Sequence, residues 1–286
     1  MVHFNKVTII GVGLIGGSLA RVLKARNLAS EVHGAGSSSR TLEQAKQLGV
    51  IDAIGGTAAE AVRGADLVVL ASPVGAFERI TEEIKQDLKQ GAVLTDVGSV
   101  KGELVGRIEN LLPAGVAYVP GHPIAGKESS GVAASSAALF EGNNCILTPT
   151  SRTDPRALEA VRSLWTGAGA KVVVMDPDLH DHIFAAVSHL PHVAAYALVN
   201  SVANLKTGDE QYISYIGGGF RDFTRIAASS PAMWRDICLM NRKNILEMIE
   251  RYQFTLNKLK RALRRGDGEK LERVFRSASD VRKTLG

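Results

Sequence analysis

A strand-like apolar run at residues 6–10 passes directly into Gly11-x-Gly13-x-x-Gly16, and helical periodicity follows to about Arg26. This is the feature that most restricts how the chain can fold. Three glycines at that spacing say little by themselves, but at a first strand-to-helix turn each has a physical task. Gly11 permits the tight turn, Gly13 lets backbone approach a pyrophosphate, and Gly16 lets the helix lie close on the strand. The helix opens with Leu14 and Ile15. Its N-terminus offers unpaired N–H groups and the positive end of a dipole, which suit phosphate. The pattern implies a dinucleotide-binding unit.

Further apolar runs at 31–34, 67–73, 92–97, 118–120, 145–148 and 171–175 alternate with helical stretches at 42–48 and 77–88. Such alternation predicts an α/β fold with a doubly wound, mostly parallel, Rossmann-type sheet over residues 1–176. Ser72 and Pro73, where one run gives way to a loop, are expected at the cofactor edge. After Asp176-Pro177 the strand pattern stops and helical spacing takes over, through Trp234, Ile237, Ile245, Met248, Tyr252, Leu256 and Leu263, and again from Leu271 to Val281. Residues 177–286 are therefore predicted to be an all-α domain. A stripe that long exceeds what one small domain covers, so a homodimer is expected.

The net charge of +5 raises the question of nucleic acid. Residues 258–286 hold ten Lys/Arg against four Asp/Glu, so the rest of the chain sums to −1. With aromatics at 5%, base-stacking positions are scarce and no nucleic-acid partner is expected. No unbroken apolar run approaches the roughly 18 residues of a membrane span, so no membrane partner is expected either. Residues 1–6 lack the pattern of a signal peptide, and Cys145 and Cys238 form no metal-ligand spacing. A cytoplasmic setting and no metal are the expectation.

Cofactor choice is left open. A carboxylate normally follows the second strand to hold the ribose hydroxyls of NAD. Here the stretch reads Gly36-Ser37-Ser38-Ser39-Arg40, with no acid between Glu31 and Glu43. Three hydroxyls and a guanidinium suit the 2′-phosphate of NADP. The alternative is a solvated serine loop with NAD held less tightly.

Two segments fall at expected strand ends, Asp96–Gly102 (DVGSVKG) and Gly121–Gly131 (GHPIAGKESSG). Ligands of open α/β sheets bind at that edge. His122 is a candidate general base there, with Ser99 placed to orient it. Lys101 and Lys127 either attract an anionic substrate or are solvated.

With GVGLIGGSLA at 11–20, SHLPH at 188–192 and GGGFRDFTRIAASSPAMWRDI at 217–237, these motifs make the chain resemble the prephenate/arogenate (cyclohexadienyl) dehydrogenase family over nearly its whole length. The resemblance implies oxidative decarboxylation of prephenate or arogenate on the route to tyrosine, with hydride passing to NAD or NADP. By the same resemblance His122 takes the proton of the ring hydroxyl, and Ser99 bonds within that site. Glu128 matches a gating position, His192 and Arg225 match substrate-carboxylate positions, and Trp234 matches one at the subunit junction. His189 shares the SHLPH motif without an assigned role. Arg225 paired with Asp222 or Asp236 is the structural alternative. A β-hydroxyacid or imine-type dehydrogenase shares the expected layout but relies on a helical-region lysine where this chain has SHLPH and Arg225. A cofactor-sensing binding protein with a dead site is the reading from another class.

Overall fold

The computed structural model describes residues 2–126 and 129–285. Six strands form one fully parallel sheet: β1 (Phe4–Ile10), β2 (Ala29–Ala35), β3 (Ala53–Ile54), β4 (Leu67–Leu70), β5 (Val93–Asp96) and β6 (Ala117–Val119). Their spatial order is β3-β2-β1-β4-β5-β6. The connections are α1 (Leu14–Ala25), α2 (Ser39–Gln47), α3 (Ala58–Val62), α4 (Phe77–Ile84) and α5 (Gly102–Leu111). Because helices cover both faces, central strands are apolar on both sides, and all four residues of β4 are buried. Two apolar clusters result. One gathers Val7, Ile9, Leu19, Phe140 and Trp165; the other gathers Val68, Leu70, Phe77, Leu94 and Ile108.

The sheet is smaller than the sequence pattern implies. After β6 the chain turns at Pro120, which has no N–H for another rung on β5. It enters β7 (Gly121–Pro123), antiparallel to β8 (Asn144–Leu147), which is parallel to β9 (Lys171–Val174) beyond α6 (Pro155–Gly167). Residues 145–148 and 171–175 thus build a separate three-stranded sheet, and His122 is carried off the end of β6 onto β7.

From Asp176, whose side chain caps the next helix with Pro177 in its first turn, the chain is helical. The helices are α7 (Pro177–Phe184), α8 (Leu190–Ala203), α9 (Gly218–Thr224), α10 (Pro231–Met240), α11 (Arg242–Arg265) and α12 (Gly268–Thr284). A two-residue hairpin, β10 (Lys206–Thr207) with β11 (Glu210–Gln211), interrupts them; four polar residues carry no alternation that would reveal it. Pro191 cannot continue the i→i−4 ladder, and the chain passes through a π-helical turn, Ala185–His189, just before α8. The apolar stripe divides. Trp234 and Ile237 join the core of the parallel sheet, and Ile245 and Met248 are buried beside α7 and α8, but Leu256, Leu263, Phe275 and Val281 are exposed.

Residues 177–203, contrary to the expectation from unbroken runs, are long and apolar enough to cross a membrane by length and composition. The same stretch buries His180, Asp181 and His189 against α5 and α11. Those groups bond within the protein, which is the behaviour of a helix packed on a domain.

Candidate active site

β1 lies between β2 and β4, so the chain leaves it in opposite directions and a crevice opens at its carboxyl end. Gly11 has φ +105°, and a Cβ there would stand 2.6 Å from the Ala71 backbone. A Cβ on Gly16 would stand 2.2 Å from the Gly11 carbonyl. Both positions exclude any side chain. A Cβ on Gly13 would meet nothing within 4 Å, and no side chain caps α1, so its first N–H groups are left for a ligand. Leu14 and Ile15 are partly buried against the core. A cavity of about 300 Å³ is walled by Gly11, Gly13, Gly36, Ser37, Ser38, Ser72 and Pro73. Ser72 Oγ is buried there without a hydrogen-bond partner. The open glycine, the uncapped helix and the orphaned hydroxyl fit the phosphates and riboses of a dinucleotide.

The serine loop is not arranged as its composition suggests. Ser38 Oγ caps α2, accepting from the Thr41 N–H at 3.2 Å. Ser39 and Arg40, the first residues of α2, are exposed and stand outside the cavity wall. Helical rotation turns them out and brings Thr41 back, and Arg79 of α4 faces it across the cleft. Thr41 and Arg79 are cleft residues that the sequence pattern did not single out. A Cβ on Gly36 would have no atom nearer than 3.9 Å.

The β5–α5 loop holds a buried ion pair. Asp96 accepts from Lys101 Nζ at 2.6 Å, the Gly98 N–H at 2.7 Å and Tyr118 Oη at 2.7 Å. Lys101 also donates to the carbonyls of Gly98 and Val100. Lys101 therefore neither attracts substrate nor faces solvent. It ties down the turn that carries half-buried Ser99. Burial, and next the Asp96 charge, push the Tyr118 hydroxyl well above its ordinary range.

His122 Nδ1 lies 2.8 Å from His180 Nε2, and His180 Nδ1 lies 2.8 Å from Asp181 Oδ1. His180, rather than Ser99, is the partner that sets the ring of His122. Burial, reinforced by His180 and Lys101, holds His122 well below the ordinary histidine range. The low pKa favours the uncharged imidazole, and Nδ1 is the ring nitrogen engaged with His180. Asn241 Nδ2 lies 3.1 Å from His189 Nδ1 and donates to the Asp181 carbonyl at 2.7 Å. Burial pushes His189 down to about 4.

His192 Nδ1 is 2.9 Å from the Ser188 carbonyl, and its ring stacks on Trp234 at 3.8 Å between centroids. Trp234 is thus a core residue of its own chain that also fixes His192. His122 and His192 line one cavity of about 430 Å³. His192 also lines its neighbour of about 1130 Å³, together with Arg225, Ser229 and Met233. Asp236 pairs with Arg235. Glu128 and Lys127 lie outside the described residues. Among the described residues no cluster of His, Cys, Asp or Glu has metal-holding geometry.

His180, Asp181 and Asn241 were missed by sequence reading. His180 and Asp181 lie in Asp178-Leu-His-Asp-His182, in the first turns of a helix where polar residues are ordinary, and Asn241 is a single polar residue between α10 and α11; no local signal marks any of them as buried.

Two family models match the chain. The nucleotide-binding domain of prephenate dehydrogenase matches residues 19–174, and the dimerization domain of prephenate dehydrogenase matches residues 176–277. A prephenate dehydrogenase of Bacillus subtilis is 37% identical over 98% of this chain and 76% of its own length. A cyclohexadienyl dehydrogenase of Zymomonas mobilis is 36% identical over 100% of this chain and 97% of its own. Among solved structures, prephenate dehydrogenase from Aquifex aeolicus with hydroxyphenyl propionate and NAD+ superposes with a TM-score of 0.93 at 40% identity, covering 99% and 98% of the two chains. A Synechocystis arogenate dehydrogenase gives 0.82 at 28%, covering 98% and 100%. A 3-hydroxyisobutyrate dehydrogenase from Mycobacterium tuberculosis gives 0.56 at 13%, covering 86% and 88%, a likeness of fold alone.

Proposed function

The chain belongs to the prephenate dehydrogenase family, and we propose that it carries out the oxidative decarboxylation of prephenate or arogenate with His122 as general base. It is a nicotinamide-dependent dehydrogenase of the tyrosine route. The observation that carries the residue assignment is the position of His122. Burial keeps its pKa low, it is bonded at Nδ1 to His180, and it shares a cavity with His192 at the carboxyl edge of the sheet.

His122 Nε2 accepts the proton of the ring hydroxyl as the C–O bond gains carbonyl character. When bound, the nicotinamide accepts the hydride that leaves the same ring carbon. The ring carboxylate departs as carbon dioxide, its bonding pair entering the ring and completing the aromatic system, and the proton held on His122 returns to the ring oxygen. Aromatisation drives the reaction, so the protein chiefly positions and polarises. Arg225 presents a planar, permanently charged fork suited to a substrate carboxylate, and His192, held by Ser188 and Trp234, stands between that position and His122. Ser99, on the turn fixed by Lys101, contacts the substrate hydroxyl in this reading, and Glu128 gates the side chain. Asp176-Pro177 marks the domain boundary.

Ser37, Ser38, Thr41 and Arg79 support acceptance of NADP beside NAD, with no carboxylate among the described residues that line their cavity to repel a 2′-phosphate. The exposed apolar residues of α11 and α12 support a homodimer, and the unpaired Cys145 and Cys238 support a cytoplasmic setting. The direct test is His122→Asn, followed by absorbance at 340 nm with prephenate and with arogenate. It should lower kcat about 10²–10⁴-fold and leave cofactor affinity in place. A folded variant that keeps most of its kcat would remove His122 from the reaction.

A further inference from the structure

The geometry points to His180 and Asp181 as positioning residues that fix the tautomer of the general base and balance the charge it gains. This rests on the reading of His122 as that base. Two imidazoles can share a hydrogen bond only if one donates and the other accepts. Asp181, as a carboxylate, only accepts, so His180 Nδ1 carries a proton toward it. The Nε2 of neutral His180 is then a bare acceptor, and His122 Nδ1 must be the donor. One arrangement of protons satisfies all three groups, and it leaves His122 Nε2 unprotonated, the form a base requires.

Asp181 is itself locked. Its Oδ1 accepts from the backbone N–H of Lys101 at 2.8 Å, at the N-terminus of ten-residue α5, where the helix dipole favours an anion. Asn241 Nδ2 holds the Asp181 carbonyl at 2.7 Å. Phe184 packs against both imidazoles, 4.9 Å from His122 and 4.5 Å from His180, and keeps water from the pair. The other titratable or charged groups facing the pair are Lys101 with Asp96 from the β5–α5 loop, Cys145 from β8 and His189 from the π-helical turn. Lys101 is committed to Asp96. Burial weakens both imidazoles as bases, and Asp181 opposes it at His180. When the substrate proton arrives at Nε2, the cation extends along Nδ1–H to His180, and Asp181, still ionised, neutralises it.

Two variants keep the shape and remove the function. In Asp181→Asn, the amide oxygen can accept the same two N–H groups, but the charge is gone. In His180→Gln, the amide oxygen can accept from His122 Nδ1, but no cation can spread. Each should lower kcat by about 10–100-fold, a fraction of a base's usual worth, with KM and NAD affinity little changed. The acid limb of the kcat/KM profile should move to lower pH in Asp181→Asn, because losing the anion disfavours protonated His122. The double variant should lose no more than His180→Gln alone, since both cut one path. The inference is overturned if either variant keeps kcat within about threefold of the parent, if the two losses multiply, or if the loss appears in KM or cofactor affinity with the pH profile unmoved. His122→Asn in the same series separates the two levels. If it is inactive while the other two are silent, only the role of His180 and Asp181 fails; if it stays active, the assignment of the base fails.

Discussion

His192 faces a conflict that its neighbours make readable. Its Nδ1 donates to the Ser188 carbonyl, so in the neutral ring Nε2 is an acceptor and has nothing to offer a carboxylate. Burial holds its pKa below the ordinary value, so the free enzyme carries the neutral form near pH 7. To engage a carboxylate it must take up a proton, and a bound anion raises its pKa to allow that. The affinity gained is present at low pH and is lost as pH rises through the raised, bound-state pKa. The KM for prephenate should therefore climb with pH near and above neutrality, and His192→Asn should flatten the slope. A parent KM that is level over that range would show that His192 meets the substrate as an acceptor. Lys101 calls for a different measurement. Lys101→Met leaves Asp96 charged, buried and short of its cation, at a cost of about 3–5 kcal/mol for a broken buried pair. Urea unfolding should report that loss, and a variant as stable as the parent would contradict the pairing. Lysine in a DVGSVKG loop resembles any solvated lysine until the strand geometry shows Asp96 five residues back and beneath it. His122 was legible as a candidate for the site, since a histidine in a glycine-rich segment at a strand end has few structural uses. Its partner was not, because contact between residues 122 and 180 arises only from the packing of α7 on α5.

At the level of elements, the strand-to-helix turns determine which cofactor fits. The first turn was legible because Gly11 and Gly16 answer steric demands set by neighbours close in sequence or in the adjacent strand. The second was legible only in composition. That three serines and an arginine follow β2 is plain in the chain, but which of them face the crevice depends on where α2 starts, and Ser38 spends its oxygen on starting it. The cation that does line the cleft, Arg79, comes from α4, more than forty residues later. It pairs with Glu83 on the same helix, at 3.4 Å and exposed, a pair too weak to hold it from a phosphate. NADP should be used comparably to NAD by the parent, and Arg79→Ala should lower kcat/KM for NADP while sparing NAD. Gly36→Asp has room for its side chain and should do the same from the other side, adding an acceptor for the ribose hydroxyls and a like charge against the phosphate. Each effect should be about 1–3 kcal/mol, the range for a charged hydrogen bond. Parallel measurement of both cofactors in the three proteins checks it, and a parent that already prefers NAD by a hundredfold would leave Ser37, Thr41 and Arg79 as ordinary surface residues.

At the scale of the whole molecule, the helical half has more apolar surface than its own chain covers. α10 is accounted for, because Trp234 and Ile237 close the core of the parallel sheet. The surplus begins where α11 leaves that core. Phe254 is 56% exposed and Leu263 66%, and on α12 Phe275 is 57% and Val281 59%. Isolated exposed apolar residues are normal, but a run of them along two packed helices is the mark of an interface. Val187, in the π-helical turn, is exposed to 64%, and the residues 177–203 around it pass for a membrane span by composition. Lipid and a second copy of the chain would both satisfy such a surface. The second copy is the better fit, since α12 ends in Arg282 and Lys283 and the surplus is distributed over three helices, not wrapped around one. Two copies related by a twofold axis would bring the same surfaces together. Sedimentation at micromolar concentration, without detergent, should give about twice the 30.4 kDa of one chain. Phe254→Asp together with Leu263→Asp places two charges where the partner must sit, and should yield a soluble monomer that keeps its NAD affinity, because the crevice is built entirely from the parallel-sheet half. A clean monomer of the parent at that concentration would contradict the dimer. A parent that sediments only with added detergent or vesicles would assign the surface to lipid instead.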